Sequence, residues 1–217
     1  MSILKFAGIF FMGVVALACT DSIESSQGQI ELPFYNEATF TPQWIEPSDE
    51  KYRDIHTIPD FEFINQNGDT VTNKTFQDKI YVTNFFFTLC PNVCPKMTEN
   101  LGLVRDAFSG GDQVRILSHT VMPWADSVER LAEYATLNEI SSRQWHLVTG
   151  DQNDIYKIAR ESYFADEGFG KSLTSNEDFL HTENIFLIDQ KRRIRGIYNG
   201  TIRLDMKRMI DDIHTLL

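Results

Sequence analysis

The sequence has few cysteines, no cluster of basic residues and no long apolar run. It therefore gives no indication of nucleic-acid binding, extensive disulfide cross-linking or several membrane spans. No block of basic residues interrupts its formal net charge of −11, which argues against nucleic acid as a partner. It has only three cysteines, and no apolar run is long enough to span a bilayer comfortably. The apolar content of 42% and the aromatic content of 12% are those of a globular protein. A length of 217 residues suffices for one domain with additional segments.

The first residues have the pattern of an export signal. After one lysine, residues 6–18 form an uncharged run of thirteen, which is the length of a signal-peptide core. Ala18-Cys19 follows at once and resembles a bacterial lipobox, although Ala16 stands where leucine is more usual. We therefore expect residues 1–18 to be a lipoprotein signal peptide and Cys19 to be lipidated. This would hold the protein in the bacterial cell envelope, anchored to a membrane and facing the periplasm. The alternative is an ordinary signal peptide cleaved after Ala18.

The rest of the chain divides into a leading segment and a domain. Residues 19–52 begin as a polar, acidic tether and continue as an arm with prolines and aromatics, which we expect to pack on the domain. Residues 53–217 alternate between strand and helix patterns. Asp126, with Glu129 three residues later, is predicted to cap the second helix. The predicted order is a hairpin at 61–73, a buried strand at 79–89, a helix at 96–108, a strand at 114–121, a helix at 126–138, a strand at 145–148, a helix at 151–163, a long loop at 164–180, a hairpin at 185–198 and a helix at 206–217. This alternation predicts an α/β, thioredoxin-like fold with a mixed central sheet flanked by helices.

The two remaining cysteines stand where a strand is expected to give way to a helix. Cys90 and Cys94 follow the apolar run that ends at Leu89, and Pro95 suits the first turn of a helix because its missing N–H leaves nothing unpaired there. A helix N-terminus favours the thiolate form of a nearby cysteine. Two soft thiolates at one point predict redox chemistry, a soft metal or both.

The spacing of the pair, C-x-x-x-C, allows either chemistry. Such a pair can close a disulfide, and it can also hold Cu(I), for which imidazole is an acceptable third ligand. The histidine His181 follows the predicted long loop and directly precedes a strand, a junction that lies beside the thiols in a thioredoxin-like fold. Of the other histidines, His56 is expected in the arm and His119 either in the core or facing the site. His146 is expected to have a packing role, and His214 to lie on the surface.

Two sequence segments together resemble the Sco/SenC family, the copper chaperones of cytochrome c oxidase assembly. These are TLCPNVCPKMT and FLHTENIFLID, and the resemblance covers about residues 55–217. It implies that Cys90, Cys94 and His181 bind copper, chiefly Cu(I) with Cu(II) as the second state considered. It also implies that the copper-site subunit of the oxidase is the partner.

The chain departs from the family pattern in one loop. Met122 stands where the family usually carries the aspartate of an Asp-Pro pair, while Pro123 and Asp126 are kept. Met122 is interpreted as loop packing, with a thioether ligand to copper as the alternative. Met97, one turn past Cys94, is interpreted as core.

The sequence supports two functions. The first is a metallochaperone that passes copper to the oxidase by ligand exchange. The second is an enzyme, a thiol–disulfide reductase in which Cys90 attacks, Cys94 resolves and a Cys90–Cys94 disulfide forms. A thiol peroxidase is weaker, because nothing beyond the fold suggests it. His181 separates the first two, since a reductase has no need of an imidazole there.

Overall fold

The computed structural model describes residues 31–165 and 182–217 of the chain. Within them it contains seven strands: β1 (Glu62–Asn65), β2 (Thr70–Thr72), β3 (Ile80–Phe86), β4 (Val114–Thr120), β5 (Trp145–Thr149), β6 (Asn184–Ile188) and β7 (Ile194–Asn199). It also contains four α-helices: α1 (Val93–Ala107), α2 (Val128–Leu137), α3 (Gln152–Lys157), which continues as a π-helical turn at Ile158–Ser162, and α4 (Arg203–Leu216). Short 3₁₀ segments lie at Glu50–Asp54 and Asn73–Phe76.

The strands form one mixed sheet in the order β2-β1-β5-β4-β3-β6-β7. Strands β3, β4 and β5 run parallel, and the two hairpins add antiparallel strands at either edge. Parallel strands need crossover connections, which here are α1 and α2. The arrangement confirms the predicted α/β, thioredoxin-like fold.

Strand β3 lies inside the sheet, between β4 and β6, and is buried along its whole length. Ile80, Val82 and Phe86 pack with α1 and α4 on one face of the sheet. Tyr81 and Phe85 pack on the other face, where α3 lies. A strand covered on both faces reads as a continuous apolar run, as the sequence predicted.

Local signals explain the element ends, with two corrections. The turn at Asn67-Gly68 connects β1 and β2 as predicted, and Gly68 has the positive φ of 83° that glycine adopts without cost. Helix α1 begins at Val93, earlier than predicted, so Cys94 lies in its first turn. The prediction that Asp126 caps α2 is wrong, because the cap is Ser127, whose side chain accepts the backbone N–H of Arg130.

The arm packs on the end of the sheet where β6 turns into β7. The guanidinium of Arg195 donates to the carbonyls of Leu32 and Pro33 and lies 4.1 Å from the centre of the Phe34 ring. The expected packing of the arm is therefore observed from residue 31 onward. The signal peptide and Cys19 lie outside the described residues and stay predictions. In the part of the chain that the structure describes, no helix has the length and apolar character to cross a bilayer.

Candidate functional site

The two thiols lie at the carboxyl end of β3, on the turn that leads into α1. Cys90 is half-buried on the turn, whereas Cys94 is buried at 5% exposure. The backbone N–H of Cys94 donates to Cys90 Sγ at 3.3 Å, and the N–H of Cys90 donates to the carbonyl of Phe87 at 3.3 Å. Both cysteines are free thiols here, so the Cys90–Cys94 disulfide stays a prediction for the oxidised protein.

The environment makes the two thiols unequal. Burial alone would raise the pKa of Cys90, but backbone N–H groups of Cys94, Asn92 and Val93 donate to its sulfur, and the net effect is a lowered pKa. Burial raises the pKa of the Cys94 thiol to about 12, with the negative charges of Cys90 and Asp126 adding to the shift. Cys90 is thus the more exposed thiol, and its environment favours the thiolate, whereas Cys94 is the buried one.

A buried carboxylate forms hydrogen bonds with the residue that begins the thiol turn. Asp126 is fully buried and accepts from both the backbone N–H (3.2 Å) and the hydroxyl (2.5 Å) of Thr88, two residues before Cys90. It also accepts from the hydroxyl of Thr120 at the end of β4. The sequence offered Asp126 as a helix cap, and nothing in a single chain's pattern could have revealed this contact across two loops.

Apolar side chains are exposed at the same end of the sheet. Leu89 is 53% exposed beside Cys90, and Trp124 is 60% exposed on the loop that carries Asp126. Met122 on that loop is half-buried, while Met97 is fully buried in the core, as predicted. Within the residues that the structure describes, the thiol turn is therefore flanked by exposed apolar side chains, which another molecule could contact.

Four of the five histidines lie in the described residues, and their contacts are structural. His119, on β4, faces the core on the side of Phe63 and Phe85. His146 packs near Phe76 beside Asn65, as predicted, and His214 lies exposed on α4 against Phe108. His56, which lies between the arm and β1, bonds to the carbonyl of Ser162 at 2.8 Å.

The predicted third ligand, His181, lies outside the described residues. The residue after it, Thr182, is buried, and its hydroxyl accepts the N–H of Asn184 at the start of β6. Because β6 pairs antiparallel with β3, it begins at the edge of the sheet where β3 ends and the thiols lie. Among residues 31–165 and 182–217 alone, no group of three or more His, Cys, Asp or Glu side chains could hold a metal.

A dithiol turn after a buried core strand of a thioredoxin-like sheet defines a protein of thiol redox or soft-metal chemistry. A model of the SCO1/SenC family matches residues 49–217, which is most of the chain. The chain therefore belongs to the SCO1/SenC family.

Solved structures share the fold of this chain. A SCO1/SenC family lipoprotein from Bacillus anthracis is 28% identical, with a TM-score of 0.64 and coverage of 74% of this chain and 95% of that one. BsSco, a member of the Sco family of cytochrome c oxidase assembly proteins in which a disulfide switch was identified, is 24% identical (TM-score 0.63, coverage 75% and 94%). Bradyrhizobium japonicum ScoI with copper bound is 25% identical (TM-score 0.58, coverage 74% and 99%).

Proposed function

We propose that this protein is a copper chaperone for cytochrome c oxidase. It binds one copper ion, as Cu(I) and in a second state as Cu(II), through Cys90, Cys94 and His181. It passes the ion to the binuclear copper site of the oxidase subunit. The observation that carries the proposal is the thiol turn itself: a half-exposed thiol with a lowered pKa beside a buried one, in a SCO1/SenC domain.

The unequal thiols suit transfer by ligand exchange. Soft thiolates bind Cu(I) well, and imidazole completes a three-coordinate site. An incoming thiolate of the target can approach the ion on the side of the exposed Cys90, while Cys94 keeps its sheltered position until a second target ligand arrives. Binding releases the Cys94 proton, because only the thiolate is a ligand.

We further propose that Cys19 carries a lipid that anchors the protein in the bacterial cell envelope, with the domain facing the periplasm. The support is the export pattern of residues 1–18 and the resemblance of Ala18-Cys19 to a lipobox. The described relative from Bacillus anthracis is itself a lipoprotein. An anchor would keep the chaperone on the same membrane as a respiratory oxidase.

A second function, thiol–disulfide reductase, is favoured by the same asymmetry of the thiols. The Cys90 thiolate would attack a disulfide between the oxidase's copper-site cysteines, forming a mixed disulfide and releasing one target thiolate. Cys94 would then attack the Cys90 sulfur, lose its proton and release the second target thiolate. The target gains two electrons, and this protein ends as the Cys90–Cys94 disulfide. The two functions are compatible, since a copper site must be reduced before it is filled.

The test is Cu(I) stoichiometry on the reduced full chain in detergent. We expect one copper per wild-type chain, none on the Cys90→Ser/Cys94→Ser double variant, and weakened retention by His181→Ala, which keeps both thiols. His214→Ala is the matched control, because His214 is an exposed histidine on α4, and it should bind like wild type. A double variant that still binds one tightly held copper would refute the copper site.

The same His181→Ala variant separates the chaperone from the reductase. It should keep dithiol exchange with a model disulfide. In a deletion strain under limiting copper, we expect it to fail to restore oxidase activity and added copper to repair part of the defect. Full rescue at native expression would favour the reductase.

A further inference from the structure

Asp126 is a buried charge whose position the helix cap does not explain. It is fully buried, yet α2 is capped by its neighbour Ser127. A carboxylate removed from water is destabilising unless hydrogen bonds replace its hydration. Three donors supply them, two from Thr88 and one from Thr120. In the described part of the chain no lysine or arginine forms an ion pair with it.

The guanidinium of Arg130 is linked to Asp126 through Thr88. The Thr88 hydroxyl donates to Asp126 and at the same time accepts from Arg130 Nε at 3.2 Å. Both hydrogen-bonding groups of Thr88 that face the loop, its N–H and its hydroxyl, are therefore fixed by residues at the start of α2. A threonine held from both sides cannot rotate or shift without breaking a charge-assisted bond.

Thr88 is the residue from which the thiol turn starts. The next contacts along the chain are the N–H of Cys90 on the Phe87 carbonyl and the N–H of Cys94 on Cys90 Sγ. The contact between Thr88 and Asp126 is a side-chain clamp on the residue at which this turn begins.

We propose that Asp126 is a positioning residue for the copper thiols and acts on them through Thr88. The proposal rests on the proposed function in taking Cys90 and Cys94 as the ligands. By holding Thr88, the carboxylate pre-organises the turn so that both sulfurs face one ion without a further loss of conformational freedom on binding. Its loss loosens the turn and weakens the grip on the metal.

An effect of the carboxylate's charge alone would have the opposite sign. A negative charge near Cys94 opposes formation of the thiolate there, so removing the charge would favour the ligand form. Loosening of the turn predicts weaker binding when either partner of the clamp is changed. Charge alone predicts tighter binding for Asp126→Asn and no effect of a change at Thr88.

The experiment compares four variants of the full chain in detergent. Thr88→Val removes the hydroxyl but keeps the shape and the Asp126 charge, and Thr88→Ser restores the hydroxyl. Asp126→Asn removes the charge and one acceptor. Thr120→Val is the comparison variant, because it removes a bond to the same carboxylate from β4, together with the bond that the Thr120 hydroxyl accepts from the Met122 N–H, and leaves both bonds between Asp126 and Thr88 in place.

Two readouts are measured on each protein. The first is the rate at which Cu(I) passes from the loaded protein to the chelator bathocuproine disulfonate. The second needs no metal: the hydrogen-exchange protection of the Thr88 and Cys94 amides, relative to that of Ile116 in β4, whose N–H bonds to the Gln144 carbonyl.

We expect Thr88→Val and Asp126→Asn to release copper about tenfold faster, the size of effect typical when a supporting residue of a metal site is lost. In both variants, the backbone amides at positions 88 and 94 should lose protection from hydrogen exchange, while the amide of Ile116 keeps it. Thr88→Ser should behave as wild type, and Thr120→Val should stay within about twofold of it, since the bonds to Thr88 persist.

Slower release by Asp126→Asn with no change in Thr88→Val would overturn the proposal in favour of charge. Unchanged protection of Cys94 in both variants would also overturn it. If wild-type protein binds no copper, the proposed function fails, whereas the exchange measurement still decides whether Asp126 positions the turn.

Discussion

Each end of the sheet has a buried carboxylate, and the two carboxylates are stabilised in different ways. At the thiol end, Asp126 is held by neutral donors, and a half-exposed thiol lies nearby. At the opposite end, Asp189 is 3% exposed and is paired directly with Arg193 at 2.8 Å and with Arg195 at 3.3 Å. One end carries a half-exposed thiol, and the other pairs its buried carboxylate with two guanidinium groups.

The charged end has a mechanical role that follows from its contacts. Arg195 also holds the carbonyls of Leu32 and Pro33, and Arg193 donates to the hydroxyl of Tyr52 at 2.7 Å. The arm is thereby fixed to the sheet at the end away from the thiols. In this protein, the buried carboxylate that is paired with arginines, Asp189, stabilises the fold. The buried carboxylate that is hydrogen-bonded to the thiol turn, Asp126, belongs to the candidate site.

The largest expected effect comes from breaking the charged end. Asp189→Ala leaves two buried guanidinium groups without their carboxylate, which should reduce the free energy of unfolding by about 3–5 kcal/mol. Urea unfolding followed by tryptophan fluorescence measures this loss. The release rate of Cu(I) from the folded variant should equal that of wild type, because the thiol turn lies at the other end.

Asp60→Ala is the matched control for that experiment. Asp60 pairs with Arg192 at 2.6 Å near the same end, but its side chain is 90% exposed. An exposed pair contributes at most about 1 kcal/mol. Equal losses in the two variants would contradict the distinction between buried and exposed charge on which the comparison depends.

A smaller effect is expected from a buried group that belongs to neither end. The His119 ring packs against Phe61, Phe63, Phe85 and Tyr163, and within the described residues neither ring nitrogen has a hydrogen-bond partner. Burial lowers the pKa of His119 from its ordinary value of 6.5 to about 3. The folded protein therefore holds this ring neutral at pH values where the unfolded chain binds a proton.

The sign of the pH dependence follows from this difference. Above the unfolded pKa of 6.5 both states are neutral and the ring has no effect on pH dependence; below it, stability falls progressively as pH drops towards the folded pKa. Between pH 7.5 and 4.5 the loss from this residue should be about 2–3 kcal/mol. Unfolding of wild type and His119→Leu, measured at both pH values, should show that much less acid destabilisation in the variant. An unchanged profile in His119→Leu would refute the assignment.

The fold was predictable because its signals are local or periodic. The continuous apolar run of β3 and the Asn67-Gly68 turn predicted a doubly covered strand and a hairpin, and both are confirmed. The position of Cys90 and Cys94 at the junction of a strand and a helix is confirmed as well. These features depend on neighbours in the sequence, which a single chain displays.

What could not be predicted depends on contacts between distant segments. Strand β4 is buried on both faces, so alternation could not decide whether His119 faces the core or the site. The contact between Thr88 and Asp126 joins loops 38 residues apart. For Asp126 a local rule gave a definite but wrong answer, because serine and aspartate are both good caps and stand next to each other.

The smallest expected effect comes from a change at Ser127, the neighbour of Asp126 that caps α2. Ser127 caps α2 by accepting the N–H of Arg130 at 3.3 Å, while Asp126 turns inward to Thr88. Ser127→Ala should reduce the free energy of unfolding by about 1 kcal/mol, the usual contribution of such a cap. Ser127→Asp should restore it, because aspartate caps equally well and its charge suits a helix N-terminus. Neither variant should alter copper release, since the clamp on Thr88 is intact. A change in release as large as that of Thr88→Val would mean that the whole start of α2, rather than Asp126 alone, positions the thiol turn.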